Sequence, residues 1–195
     1  MNILNYIEII FRCVLSVLAI YYICKRKFKV TASLILVFAL SFLPEVSDAV
    51  LQMKIDTFSI LVYFIILFMA LFLGSSLGYY DKFKWWDRVI HFLAGFGFAG
   101  FGIALAQISP GIIKMGILIF SFTFSITLHI FWEVLEYISD CLFHGNAQRW
   151  QKVHASENHV SEKAIQPAGL VDTMNDIICC IAGSGLAAVV WWFIL

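Results

Sequence analysis

The chain has 195 residues, of which 62% are hydrophobic, 16% aromatic and only 13% charged. Together with a mean hydropathy of +0.90, this composition excludes an ordinary soluble domain and predicts an all-α, polytopic integral membrane protein. Thirteen basic and thirteen acidic residues cancel, so no global field recruits nucleic acid, and the partners to expect are the lipid bilayer, a lipid headgroup or another membrane protein.

A window of about twenty residues finds six spans in one domain, near residues 3–24, 30–53, 57–79, 86–108, 112–143 and 170–194. No basic stretch precedes the first span and no small-residue cleavage site follows it, so it is expected to stay as a helix. It carries Glu8 and, four residues on, Arg12. In the second span Pro44 is followed by Glu45 and Asp48. Proline has no N–H to give, so the helix should kink or open there. Arg12 lies at a depth similar to these acids, which predicts an ion-pair group of Arg12, Glu45 and Asp48.

The fourth span begins with Asp87 and His91, four residues apart, and the same line continues through Gly95, Ala99, Gly102 and Ala106. Such a seam of small residues lets two membrane helices approach closely. The fifth apolar run is too long for one bilayer crossing and should emerge as a helix. Its stretch SITLHIFWEVLEYISD places Ser125, His129, Glu133, Glu136 and Asp140 on one helical face with Ser121. A polar loop at 145–169 follows; with Trp150, His144, His154, His159 and its basic residues it is a candidate docking element. The sixth span opens with Asp172 and Asp176, with Cys180 and Gly183 further along roughly the same face. None of the five cysteines falls in a CxxC or zinc-type pattern, and they read as small apolar fillers.

Lys25, Arg26, Lys27 and Lys29 follow the first span, Lys82, Lys84 and Arg88 lead into the fourth, and Arg149, Lys152 and Lys163 lie in the long loop. The alternate connections hold only Lys54 and Lys114. The positive-inside rule therefore puts both termini outside and the 145–169 loop in the cytoplasm. The polar ends of the fourth, fifth and sixth spans then share the cytoplasmic level of the membrane.

An ionised side chain at the bilayer centre costs at least about 2.5–3.5 kcal/mol, so these groups should face each other, a cavity or a cation. Asp87, His91, Glu133, Glu136, Asp172 and Asp176 form a candidate divalent-metal set, with magnesium, manganese, zinc or iron as the cofactor that carboxylates and imidazoles suit. His91, His129 and Glu133 are the candidate catalytic residues for proton transfer. The Glu-x-x-His pattern of di-iron bundles is absent. A plainer reading makes Asp87 and Asp172 helix caps in an interfacial network.

The order DRVIHFLAGF from Asp87, E-x-x-E at Glu133 and Glu136, then DTMND from Asp172 to Asp176 resembles the YjdF-like family of bacterial inner-membrane proteins, over about residues 85 to 190. It is more remotely similar to VanZ-like proteins, but Glu136 stands where those have glutamine and Asp176 where they have asparagine. The resemblance implies a multi-pass bundle in the bacterial cytoplasmic membrane, with Asp87, His91, Glu133, Glu136, Asp172 and Asp176 as its polar signature. It implies no reaction.

Three functions are compatible with these residues. An envelope-associated or accessory membrane protein would use the cluster to hold the bundle or bind a headgroup or partner. A metal-dependent enzyme would act on lipid or polyprenyl phosphates. A proton- or cation-coupled transporter would link the acids of the two membrane levels, although the sequence has no evident inverted repeat.

Overall fold

The computed structural model describes residues 3–148 and 166–195. Among them every regular element is helical: α1 Ile3–Cys24, α2 Phe28–Leu40, α3 Leu43–Leu51, α4 Thr57–Leu67, a widened helical segment Phe68–Ser76, the short α5 Tyr79–Lys82, α6 Trp86–Ala106, α7 Lys114–Phe143 and α8 Ala168–Ile194. Six helical stretches are long and apolar enough to cross a membrane. Their outer faces carry exposed Ile20, Ile35, Phe131, Leu142 and Phe193, as a lipid-facing surface does.

The second span is not one helix. It breaks between α2 and α3, where Pro44 removes the N–H that would have reached back to the Leu40 carbonyl. Other groups take over the freed carbonyls: the Tyr63 hydroxyl donates to Leu40 O at 2.9 Å, and Arg12 Nη2 donates to Ser41 O at 2.9 Å. The third span also departs from a plain helix. Its second half widens, with Leu77 N–H reaching Phe72 O, and Trp86 Nε1 donates to the carbonyl of Met69 at 3.3 Å. Neither Asp87 nor Asp172 is a cap, because Trp85 occupies the cap position of α6 and Pro167 that of α8.

α6 is the axis of the bundle, and its small residues let neighbours close in on several sides. A methyl group on Gly95 would run into the carbonyl of Cys180 in α8, and one on Gly183 into the carbonyl of Phe92. On another side, Gly102 takes the backbone of Ser121 from α7. Gly100 faces Ser59, which both oxygens of the α4 cap Asp56 hold, at 3.0 Å from its N–H and 2.6 Å from its hydroxyl. The GFGFAGFG run is thus a packing surface. It brings the starts of α6 and α8 against the last part of α7.

α7 runs unbroken for 30 residues, about 45 Å at 1.5 Å per residue, so it overshoots a hydrocarbon core of about 30 Å. It buries Ser121, Ser125, His129, Glu133 and Asp140 of the polar face read from the sequence, together with Leu118, while Glu136 of that face is half-buried. Within the long loop, Arg149, Trp150, Lys152, His154, His159 and Lys163 lie outside the described residues. His144 is exposed and ends α7 with a left-handed backbone, φ 52°.

A candidate metal centre at the junction of three helices

Asp87 and His91 come from the first two turns of α6, His129 and Glu133 from α7, and Asp176 from α8. All five are buried. The His91 Nε2 atom is 3.2 Å from Asp87 Oδ1 and 3.8 Å from Asp176 Oδ2. The two imidazole rings meet edge to face at a centroid distance of 4.7 Å. One donor atom each from His91, His129 and Glu133 lies within 4.8 Å of the others, and the same holds for Asp87, His91 and Asp176. The two groups share His91.

Hydrogen bonding inside this cluster is incomplete. His129 Nε2 and Glu133 Oε1 face each other at 3.4 Å, yet that nitrogen and both Glu133 oxygens are buried without a hydrogen bond of good geometry. Buried polar atoms are rarely left so, because the lost hydration costs roughly 1–3 kcal/mol per group. Donor atoms around one ion bound at 2.0–2.2 Å sit about 3–4 Å apart, somewhat closer than the 4.8 Å within which the atoms of each group lie. His91, His129 and Glu133 form one group that could hold a metal, and Asp87, His91 and Asp176 another.

Of the set expected from the sequence, Glu136 and Asp172 belong to neither group. Glu136 accepts from Trp132 Nε1 at 2.7 Å, and Asp172 is half-buried on the second turn of α8. Asp140, on the same face of α7, turns away to bind backbone: Oδ1 accepts from Ala147 N–H at 2.7 Å and Oδ2 from Gln148 N–H at 3.0 Å.

Directly beyond the cluster the three helices are tied at one carbonyl. Ser125 Oγ donates to Gly95 O at 2.8 Å, Ser184 Oγ lies 3.2 Å from the same oxygen, and the two hydroxyls are 3.0 Å apart. Ser184 is absent from the sequence reading. It lies eight residues past Asp176, on the line that already ran through Cys180, and that spacing was the available signal.

The second polar group sits at the break between α2 and α3. Arg12 pairs with Glu45, donates through Nε to Ser41 Oγ at 3.1 Å, and lies 3.8 Å from the centre of the Phe42 ring. Glu8 is buried within electrostatic reach of both Arg12 and Glu45. Asp48 is exposed and stands outside the group.

The family model described as "Predicted membrane protein (DUF2238)" matches residues 7–195. No curated protein and no solved structure matches the chain.

Proposed function

The chain belongs to the DUF2238 family of predicted membrane proteins, and from that premise we propose that it is a membrane metalloenzyme. A divalent ion is held among Asp87, His91, His129, Glu133 and Asp176, and the centre acts on phosphate groups of lipids. One observation carries this reading: three buried polar atoms, His129 Nε2 and both oxygens of Glu133, are left without a hydrogen bond of good geometry among groups from three helices. A single cation satisfies all three while neutralising the carboxylates around it.

Three carboxylates with two imidazoles suit manganese, iron or zinc better than calcium, which takes oxygen ligands throughout. A bound ion supplies Lewis acidity and neutralises a phosphate's charge. Without one, the acids of this cluster would repel such a substrate.

The test is metal analysis of the detergent-purified protein, alongside phosphate release from phosphorylated lipids in proteoliposomes. About one ion per chain is expected in the wild type. Asp176→Asn and His129→Gln should each weaken binding by at least roughly tenfold, since even loss of a ligand's outer partner costs about 10- to 100-fold, and phosphate release should fall with it. A wild-type chain that takes up no manganese, iron or zinc would end this reading.

The accessory reading has its own supporting observation, the joining of α6, α7 and α8 at the Gly95 carbonyl, which gives the polar faces a structural role. It predicts that Glu133→Gln lowers thermal stability and changes neither metal content nor phosphate release. The transport reading relied on Glu45 and Asp48. The pairing of Glu45 with Arg12 and the exposure of Asp48 weaken it.

A further inference from the structure

A chain of side chains leads from the end of α7 across to α8 and back to the metal centre. Asp140 holds the turn after α7 by both carboxylate oxygens, through the N–H groups of Ala147 and Gln148. Gln148 Nε2 then donates to Thr173 Oγ1 in α8 at 3.0 Å. The Thr173 side chain lies beside the Glu133 carboxylate. The turn lies close against that carboxylate, since a methyl group on Gly145 would stand 2.7 Å from Asp140 Oδ1.

These contacts join three features that the proposed chemistry does not itself use: the buried Asp140, the Gly145–Gln148 turn and the Thr173 hydroxyl. A hydroxyl that accepts from an amide N–H has its own hydrogen to offer, and the carboxylate beside it is the one whose two oxygens lack good hydrogen bonds. Outer partners of this kind orient a metal-binding carboxylate and tune its affinity.

We propose that Asp140, Gln148 and Thr173 form a positioning strap for Glu133, which closes the loop end of the centre and presents that carboxylate to the ion. The part played by the ion rests on the metal reading above; the positioning of Glu133 does not. The strap makes Thr173 and Gln148 positioning residues, and it ties the conformation of the turn after α7 to the geometry of the site.

The experiment uses the full-length protein in detergent, with Thr173→Val, Thr173→Ser and Gln148→Ala. Two quantities are read: binding of manganese(II) alone, and the rate at which a hydrophobic carbodiimide forms an adduct at Glu133, followed by peptide mass spectrometry. Thr173→Val and Gln148→Ala should weaken manganese binding by roughly 10- to 100-fold and speed the adduct severalfold, while Thr173→Ser should restore both. The inference is overturned if Thr173→Val changes neither quantity, or if Thr173→Ser behaves like Thr173→Val, because methyl packing rather than the hydroxyl would then matter. No adduct in any variant also counts against it. If the wild type binds no manganese but the adduct rates follow the expected order, the strap stands and the metal reading falls.

Discussion

A hydroxyl in a membrane helix has two easy fates, and the two look alike in sequence. Thr123 and Thr127 are exposed and donate to carbonyls of their own helix, Ile119 O at 2.9 Å and Thr123 O at 2.8 Å. Ser184 also reaches a carbonyl of its own helix, Cys180 O at 2.8 Å, yet it is fully buried against Ser125 and Gly95. Only the approach of α6, made close by Gly95 and Gly183, separates the two cases. This explains why Ser184 escaped the sequence reading, while His129 and Glu133, too polar to face lipid, stood out. A double-mutant cycle measures the junction. Ser125→Ala and Ser184→Ala should each cost about 0.6–1.7 kcal/mol, the range for hydrogen bonds between membrane helices. The double variant should cost less than the sum, because the Ser184–Ser125 contact is lost in both singles. Reversible unfolding in micelles gives these values, and additivity within about 0.3 kcal/mol would show that the hydroxyls act independently.

Among the elements, the spans were legible because length and apolarity alone mark them, and the break in the second was foreshadowed by Pro44. The widening at Phe68–Ser76 was not, since a wider turn leaves no trace in composition; it shows in the reach of Leu77 N–H to Phe72 O, beside the bond from Trp86 to Met69 O. Nor did the sequence reveal how the break is sealed. Arg12 serves the Ser41 carbonyl, the Ser41 hydroxyl and Glu45 together, so it acts as a peg for the broken span as well as a counter-charge. Arg12→Ala strips all three partners at once. Glu45 is partly exposed, so solvent softens the loss below the 3–5 kcal/mol of a fully buried pair, and about 1–3 kcal/mol is expected. Arg12→Lys should recover only part of this, because an ammonium cannot reproduce the planar fork that reaches two residues. Thermal melting in detergent checks the order wild type, Arg12→Lys, Arg12→Ala; equal melting of all three would show that water seals the break instead.

At the scale of the whole molecule, burial peaks at the central helix α6. The membrane-length window of α6 is 72% buried, whereas that of α1 is 11% buried. The candidate centre lies against that central helix, where the first residues of α6 and α8 meet the last half of α7. If each of the six candidate spans crosses once, the connections after α1, before α6 and after α7 lie on one side of the membrane. Those are the connections that hold Lys25, Arg26, Lys27, Lys29, Lys82, Lys84 and Arg88, against Lys54 and Lys114 on the other side. Basic residues flanking short connections stay in the cytoplasm, so the Asp87, Glu133 and Asp176 level should lie near the cytosol. On the proposed reading, an ion would then enter from the cytosol and phosphate headgroups from the inner leaflet. Single cysteines placed at residues 27, 84, 54 and 111 in a cysteine-free background, labelled with a membrane-impermeant maleimide on intact cells, test this directly. Positions 54 and 111 should label before the membrane is opened, and 27 and 84 only afterwards. The reverse pattern would put the centre at the outer leaflet and require a different substrate pool, while labelling of 27 and 84 on opposite sides would break the six-span arrangement itself.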